Sequence, residues 1–221
     1  MEEFSRIIPL VDFDKVQNAK VAIIGVGGVG GVAAIALARS GIKNFVLCDF
    51  DKVSASNINR QVVATHKTIG KYKVDVLEEM ILDINPSANI IKIKQPFNEE
   101  STLFNYEFDY LVDAIDDVNN KYLLIKETLK RNITLISSMG TAKKMDIKKL
   151  TITDINKTAY DPLAKILRKK MRDENVNLKF MCLSSTEEVT LKGNVLASYM
   201  PVTASAGLMI GDYIIKKIGE N

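Results

Sequence analysis

The sequence predicts an α/β fold, a mostly parallel sheet with helices on both faces, finished by a C-terminal helix and extra strands. Three observations carry this. Short unbroken apolar runs recur along the chain. Longer stretches with apolar residues at helical spacing separate them. A glycine-rich turn, Gly25-Val26-Gly27-Gly28-Val29-Gly30, joins the first run to the first of those stretches. Strands buried on both faces read as continuous apolar runs, and helices between them impose parallel pairing through right-handed crossovers. The glycine turn at a strand–helix junction makes the sheet Rossmann-like.

The elements follow in order. Residues 21–24 form a buried strand. Residues 32–40 are Ala-rich and helical, with Gly41 as the stop. Residues 45–48 are a second strand, ending at Asp49. Residues 71–84 place Val74, Leu77, Ile81 and Ile84 on one helical stripe, and Asn85-Pro86 ends it. Residues 90–93 and 110–112 are the third and fourth strands, the latter ending at Asp113. Residues 121–129 are helical and 133–136 form the fifth strand. A strand at 150–153, a helix at 163–172, a strand at 179–181 and a helix at 203–218 complete the series.

Composition narrows the class. At 221 residues the chain suits one large α/β domain or two small ones, and no linker or repeat divides it. Its 47% hydrophobic content is enough for a core, which excludes a disordered chain. Cys48 and Cys182 are the only cysteines. Two distant thiols cannot build a zinc cage or a secreted disulfide framework, so a reduced, cytoplasmic setting is expected. The start, with Glu2 and Glu3, lacks an apolar signal core, and the run at 202–215 is broken by Gly207, Gly211 and Asp212, so no membrane partner is expected. A net charge of +3 permits an anionic partner without requiring one.

Chemistry concentrates at the glycine turn. Gly25, Gly27, Gly28 and Gly30 allow a phosphate to approach the backbone, and the following helix N-terminus offers free amides. Asp49, 19 residues after Gly30, stands where an acid binds ribose hydroxyls. The turn itself fits either a dinucleotide used for hydride transfer or ATP. The residues beyond it favour ATP. A triphosphate needs donors beyond a helix N-terminus, and Asn57, Arg60 and Lys73 supply them, with Asp51 and Gln61 in the same stretch. Asp116, just past the fourth strand, is placed to hold Mg²⁺ against phosphates. Taken singly, Arg60 and Lys73 read equally as solvated charges and Asp116 as a helix cap.

These segments (Gly25 to Gly30, Asp49 to Gln61, Gly70 to Lys73, Val112 to Asp117) resemble the ubiquitin-activating-enzyme-like superfamily of adenylating enzymes. The resemblance implies binding of ATP and Mg²⁺ and formation of an acyl-adenylate from a carboxylate. It implies Asp49 as ribose ligand, Asn57, Arg60 and Lys73 as phosphate ligands, and Asp116 as the metal carboxylate. Arg6 matches an arginine that in relatives reaches the ATP of a partner subunit, which implies a homodimer. The second half, including Ser137 to Gly140, Thr153 to Thr158, Asp161 to Lys165, Ser184 to Glu188 and Ser198 to Val202, is similar to the family's tRNA threonylcarbamoyladenosine dehydratases. That implies ATP-dependent cyclisation of threonylcarbamoyladenosine in tRNA, on a single adenylating domain spanning 1–221. Residues 20–140 would bind nucleotide, and 141–221 would face the substrate. The zinc-binding C-x-x-C pairs of many sulfur-carrier activators are missing, so no structural zinc is expected. Activation of a ubiquitin-like sulfur carrier is then the alternative, and an NAD-dependent oxidoreductase comes after it. No motif places a monovalent cation or names a sulfur-transfer partner.

The remaining candidates are outside these motifs. In the helix at 163–172, Leu163, Ile166, Leu167 and Met171 fall on one side, and Lys165, Arg168, Lys169 and Arg172 on the other. With Lys143 and Lys144 this cationic face reads either as solvated surface or as a track for an RNA backbone. Cys182 reads as an inert thiol and His66 as a surface side chain.

Overall fold

A computed structural model describes residues 2–220 apart from 177, 192, 194 and 196. Seven strands form one sheet: β1 (Lys20–Ile24), β2 (Asn44–Cys48), β3 (Asn89–Ile93), β4 (Tyr110–Asp113), β5 (Thr134–Ser138), β6 (Leu150–Asp154) and β7 (Met181–Ser185). Their order is β3-β2-β1-β4-β5-β7-β6, and every pair is parallel except β6 with β7. Among the described residues, six α-helices accompany them: α1 (Phe13–Asn18), α2 (Gly30–Arg39), α3 (Lys73–Ile84), α4 (Val118–Lys130), α5 (Pro162–Asp173) and α6 (Met200–Glu220).

The strand sequences explain the layering. Successive side chains point to opposite faces, so each apolar run feeds two cores. Val21, Ile23, Phe45 and Leu47 join Leu37 of α2, Leu77 of α3 and Ile210 of α6 on one face. Ala22, Ile24, Val46 and Cys48 join Leu124 of α4 and Leu167 of α5 on the other. Strand order reverses at β1, between β2 and β4, and opens a crevice beyond the strands' C-terminal ends, where ligands of such sheets bind. Among the described residues, no helix is long and apolar enough to cross a membrane.

Two elements differ from the sequence reading, and a third, β6, takes a direction that the sequence left open. The last strand lies at Met181–Ser185, not at 179–181. It buries Cys182 and Leu183 on opposite faces and carries a polar but buried pair, Ser184 and Ser185, whose composition disguises a strand. β6 runs antiparallel at the sheet edge. The six-residue α1, started by Asp12 accepting from the Lys15 amide, is too short to show helical periodicity.

Candidate active site

A cleft of about 400 Å³ lies over the β1/β4 switch point. One wall comes from the glycine turn and the segment after β2: Gly25, Gly27, Gly28, Asp49, Asp51, Asn57, Arg60, Gln61 and Lys73 line it. Asp116 and Ile115 enter from the loop after β4. The facing wall is Ser138 to Ala142 with Leu163, while Thr203 and Ser198 line the cleft beside Gly28 and Asn59. Gly30 is not in the lining. A Cβ there would sit 1.9 Å from the Gly25 carbonyl oxygen, so its missing side chain lets the strand–helix corner close. Gly27, by contrast, faces open space, with Gln61 Nε2 at 3.9 Å as the nearest atom to an added Cβ. Val29, at the N-cap of α2, offers no side-chain cap; the Gly31 amide is spent on the Gly27 carbonyl at 3.0 Å, so an anion has the other amides of the first turn to draw on.

The polar side chains are held by their neighbours. Asp49 accepts from the Val26 amide at 2.7 Å and the Asp51 amide at 2.8 Å, tying the glycine turn to the end of β2. Burial raises its pKa, and Lys73 together with the two amides opposes the rise. Lys73, the first residue of α3, is buried and donates to Asp51 Oδ2 at 2.7 Å. Asn57 spends its carbonyl oxygen on the Ser54 amide at 3.1 Å. Arg60 donates through Nη1 to the Ser56 carbonyl and Asn59 Oδ1, both at 2.9 Å, which leaves further guanidinium donors. Gln61 Oε1 is buried without a hydrogen-bond partner among the described residues. An orphaned polar atom beside the open glycine turn is what a bound ligand would satisfy.

Asp116 is exposed at the cleft margin. Its neighbour Asp117 caps α4 by accepting from the Asn120 amide at 2.8 Å, so Asp116 does not serve as the helix cap. Beneath this loop lies a pair that sequence reading missed. Lys121 Nζ donates to Asp113 Oδ1 at 2.7 Å, both side chains are fully buried, and Ser137 Oγ donates to Asp113 Oδ2 at 2.6 Å. The only sequence signal was an acid ending one apolar strand and a lysine inside the next helix.

Several candidates lie elsewhere. Lys144, expected on an RNA-facing surface, is 1% exposed. Its ammonium donates to the carbonyls of Tyr160 and Glu187, and burial lowers its pKa against the pull of Asp161 and Glu187. Arg168 turns inward and donates to the Ile155 carbonyl and the Thr158 hydroxyl. Lys143 is half-buried and donates to the Gly193 carbonyl at 2.6 Å. Lys165, Lys169 and Arg172 are exposed. Ile166, expected on the buried side of α5, is 49% exposed, because Ala164, Leu167 and Met171 form the stripe against the sheet. Arg6 is exposed and outside the cleft lining. The segment before it packs by Glu3 and Phe4 near Arg39, Asp83 and Ile84, the C-terminal ends of α2 and α3, whereas the cleft is at their N-termini. α2 alone spans about 15 Å between those ends. Cys48 and Cys182 are buried and their thiols are pushed up to about 12. Burial is the main cause for both, and neither is a nucleophile at neutral pH. His66 is exposed and outside the cleft lining.

The charges test which ligand fits. Arg60 and Lys73 face Asp49, Asp51 and Asp116, so the charged lining is acidic in balance. A polyphosphate entering it needs a cation of its own. Mg²⁺ suits this, since it binds through one or two carboxylates plus phosphate oxygens and keeps several waters. Asp116 supplies one such carboxylate. Among the described residues no cluster of three or more metal-binding side chains exists.

Comparison with known proteins places this architecture. The ThiF family model matches residues 3–221. The tRNA threonylcarbamoyladenosine dehydratase of Bacillus subtilis (strain 168) is 38% identical, covering 97% of this chain and 94% of its own. A molybdopterin-synthase adenylyltransferase of Haemophilus influenzae is 33% identical over 75% of this chain and 69% of its own. Among solved structures, the E. coli tRNA N6-threonylcarbamoyladenosine dehydratase in complex with ATP superposes with a TM-score of 0.92 at 30% identity, over 98% of this chain and 93% of that one. The glycine turn, the acid ending β2, the Arg60 and Lys73 donors and the match along nearly the whole length lead to one conclusion: the chain belongs to the ThiF family.

Proposed function

We propose that the chain is an ATP-dependent dehydratase that cyclises threonylcarbamoyladenosine in tRNA. The observation that carries this reading is the whole-length likeness to a dehydratase solved with ATP, together with a cleft whose donors suit a nucleoside triphosphate. The threonyl carboxylate attacks the α-phosphate, an O–P bond forms, and pyrophosphate leaves. A nucleophile within the same modified nucleoside then attacks the activated carbonyl and expels AMP, so the nucleoside loses one water. Because that nucleophile is already tethered, proximity does much of the work and no protein thiol is needed. The amides at the start of α2, Arg60 and Lys73 neutralise phosphate charge, Asp49 takes the ribose hydroxyls, and Gln61 and Asn57 complete the polar contacts. Mg²⁺, held by Asp116, would add charge neutralisation at the phosphates. In this reading Arg6 serves the cleft of a second copy, which makes the working unit a homodimer, and the enzyme acts in the cytoplasm.

Lys165, Lys169 and Arg172 recur at helical spacing along the exposed face of α5, whose first turn reaches the cleft through Leu163. None of the three has a carboxylate partner among the described residues, which suits phosphate contacts with the tRNA. Purified protein should release pyrophosphate only with Mg²⁺ and threonylcarbamoyladenosine-bearing tRNA present. Stimulation instead by a small protein ending in Gly-Gly would replace this reading with sulfur-carrier activation. Mass spectrometry of tRNA nucleosides from cells lacking the protein should find the cyclised form gone.

A further inference from the structure

Lys144 stands out once it is removed from the surface. A lysine this buried is ordinarily paired with a carboxylate, yet no carboxylate oxygen lies within ion-pair distance of Lys144 among the described residues. Its ammonium goes to two main-chain carbonyls, those of Tyr160 before α5 and Glu187 after β7. The grip is returned from the other side. The Glu187 carboxylate accepts from the amides of Met145 and Asp146 at 2.9 Å each. Asp161, next to Tyr160, accepts from the Ala164 amide at 3.0 Å and from Ser184 Oγ at 3.3 Å, and its carboxylate lies against Gly140, 3.6 Å from where a Cβ would stand. Lys143 and Tyr160 both hold left-handed backbone, with φ of 60° and 54°, so the tied segments are ones a non-glycine chain does not adopt unaided.

The segment bound in this way begins with Gly140, Thr141 and Ala142, which form the wall facing the nucleotide side of the cleft. The nucleotide side rests on separate anchors, the Asp49 bonds and the Lys73–Asp51 pair. We propose that Lys144 is a positioning residue that fixes the Gly140–Ala142 wall against which the carboxylate-bearing substrate is placed. The inference rests on the reading of the cleft given above. Lys144 touches no reacting atom. It acts through the wall, and the loops before α5 and after β7 are its anchors.

The test separates the two sides of the cleft. In Lys144→Met, ATP affinity should stay within about twofold, while KM for modified tRNA rises roughly tenfold or more, the loss expected when charge-assisted hydrogen bonds disappear. Hydrogen exchange should quicken by a similar factor at the amides of residues 140–146 and stay unchanged in the first turn of α2. Glu187→Ala removes the reciprocal grip from a half-buried position and should reproduce the same split should Lys144→Met fold poorly. Unchanged KM and unchanged exchange would overturn the proposal, as would ATP affinity falling in parallel with KM. If the wild-type protein releases no pyrophosphate with modified tRNA, the assigned reaction fails, and the exchange measurement still judges Lys144.

Discussion

Lys121 and Asp113 show how a single pair underwrites the site without entering it. The Asp113 carboxylate also accepts from the Ile115 amide at 3.3 Å, so the loop bearing Asp116 hangs from a buried ion pair. Removing one partner of such a pair leaves an uncompensated buried charge, which typically costs about 3–5 kcal/mol. Lys121→Met should therefore lower the free energy of unfolding by about that amount in urea titration, and a change within ~1 kcal/mol would show that the pair is dispensable. At this scale, what could be read ahead of the structure followed a rule. Gly25, Gly28, Asp49, Arg60, Lys73 and Asp116 sit at fixed offsets from strand ends and helix starts, so local spacing was enough to bring them to one cleft. Lys144 and Arg168 were misplaced because their partners are carbonyls 43 and 13 residues away in sequence. A lysine's charge is visible in sequence, but a carbonyl that will receive it is not.

Among the elements, α5 separates what periodicity reveals from what it leaves open. Apolar spacing located the helix within a residue at each end, yet the buried stripe proved to be Ala164, Leu167 and Met171, with Ile166 outside. Alanine gives little hydrophobic signal and still occupies the tightest contact. Lys165, Lys169 and Arg172 remain as the outward face. Lys169→Glu with Arg172→Glu should weaken binding of tRNA and reduce the slope of log K against log salt by roughly 1–2, with ATP affinity intact. An unaltered slope would return this face to ordinary solvated surface. The antiparallel β6 was less accessible to sequence reasoning than the helix. Nothing in Leu150–Asp154 records the direction in which a strand joins its sheet, because side chains alternate identically either way.

The placement of Arg6 is a property of the whole molecule. Its segment packs by Glu3 and Phe4 at the far end of α2 and α3 from the cleft of its own chain, which suits the proposed role of Arg6 in the cleft of a second copy. Arg6→Ala and Asp116→Ala proteins should each be inactive alone while remaining folded. Mixed and allowed to exchange subunits, they should recover about a quarter of wild-type activity, since half the dimers would then carry one intact site of two. No recovery would confine each site to a single chain.

The contact between α6 and α2 couples the end of the chain to its start. A Cβ at Gly207 would lie 2.5 Å from the Val29 carbonyl, and one at Gly28 would lie 3.1 Å from Thr203 Oγ1. The last helix is thus seated directly on the glycine turn, at Gly207 against the backbone and at Thr203 through a short side chain. Helix and turn behave as one mechanical part. Damage at the C-terminus, whether truncation or a bulky residue at 207, should therefore register first as weakened nucleotide binding, some 180 residues upstream in the chain.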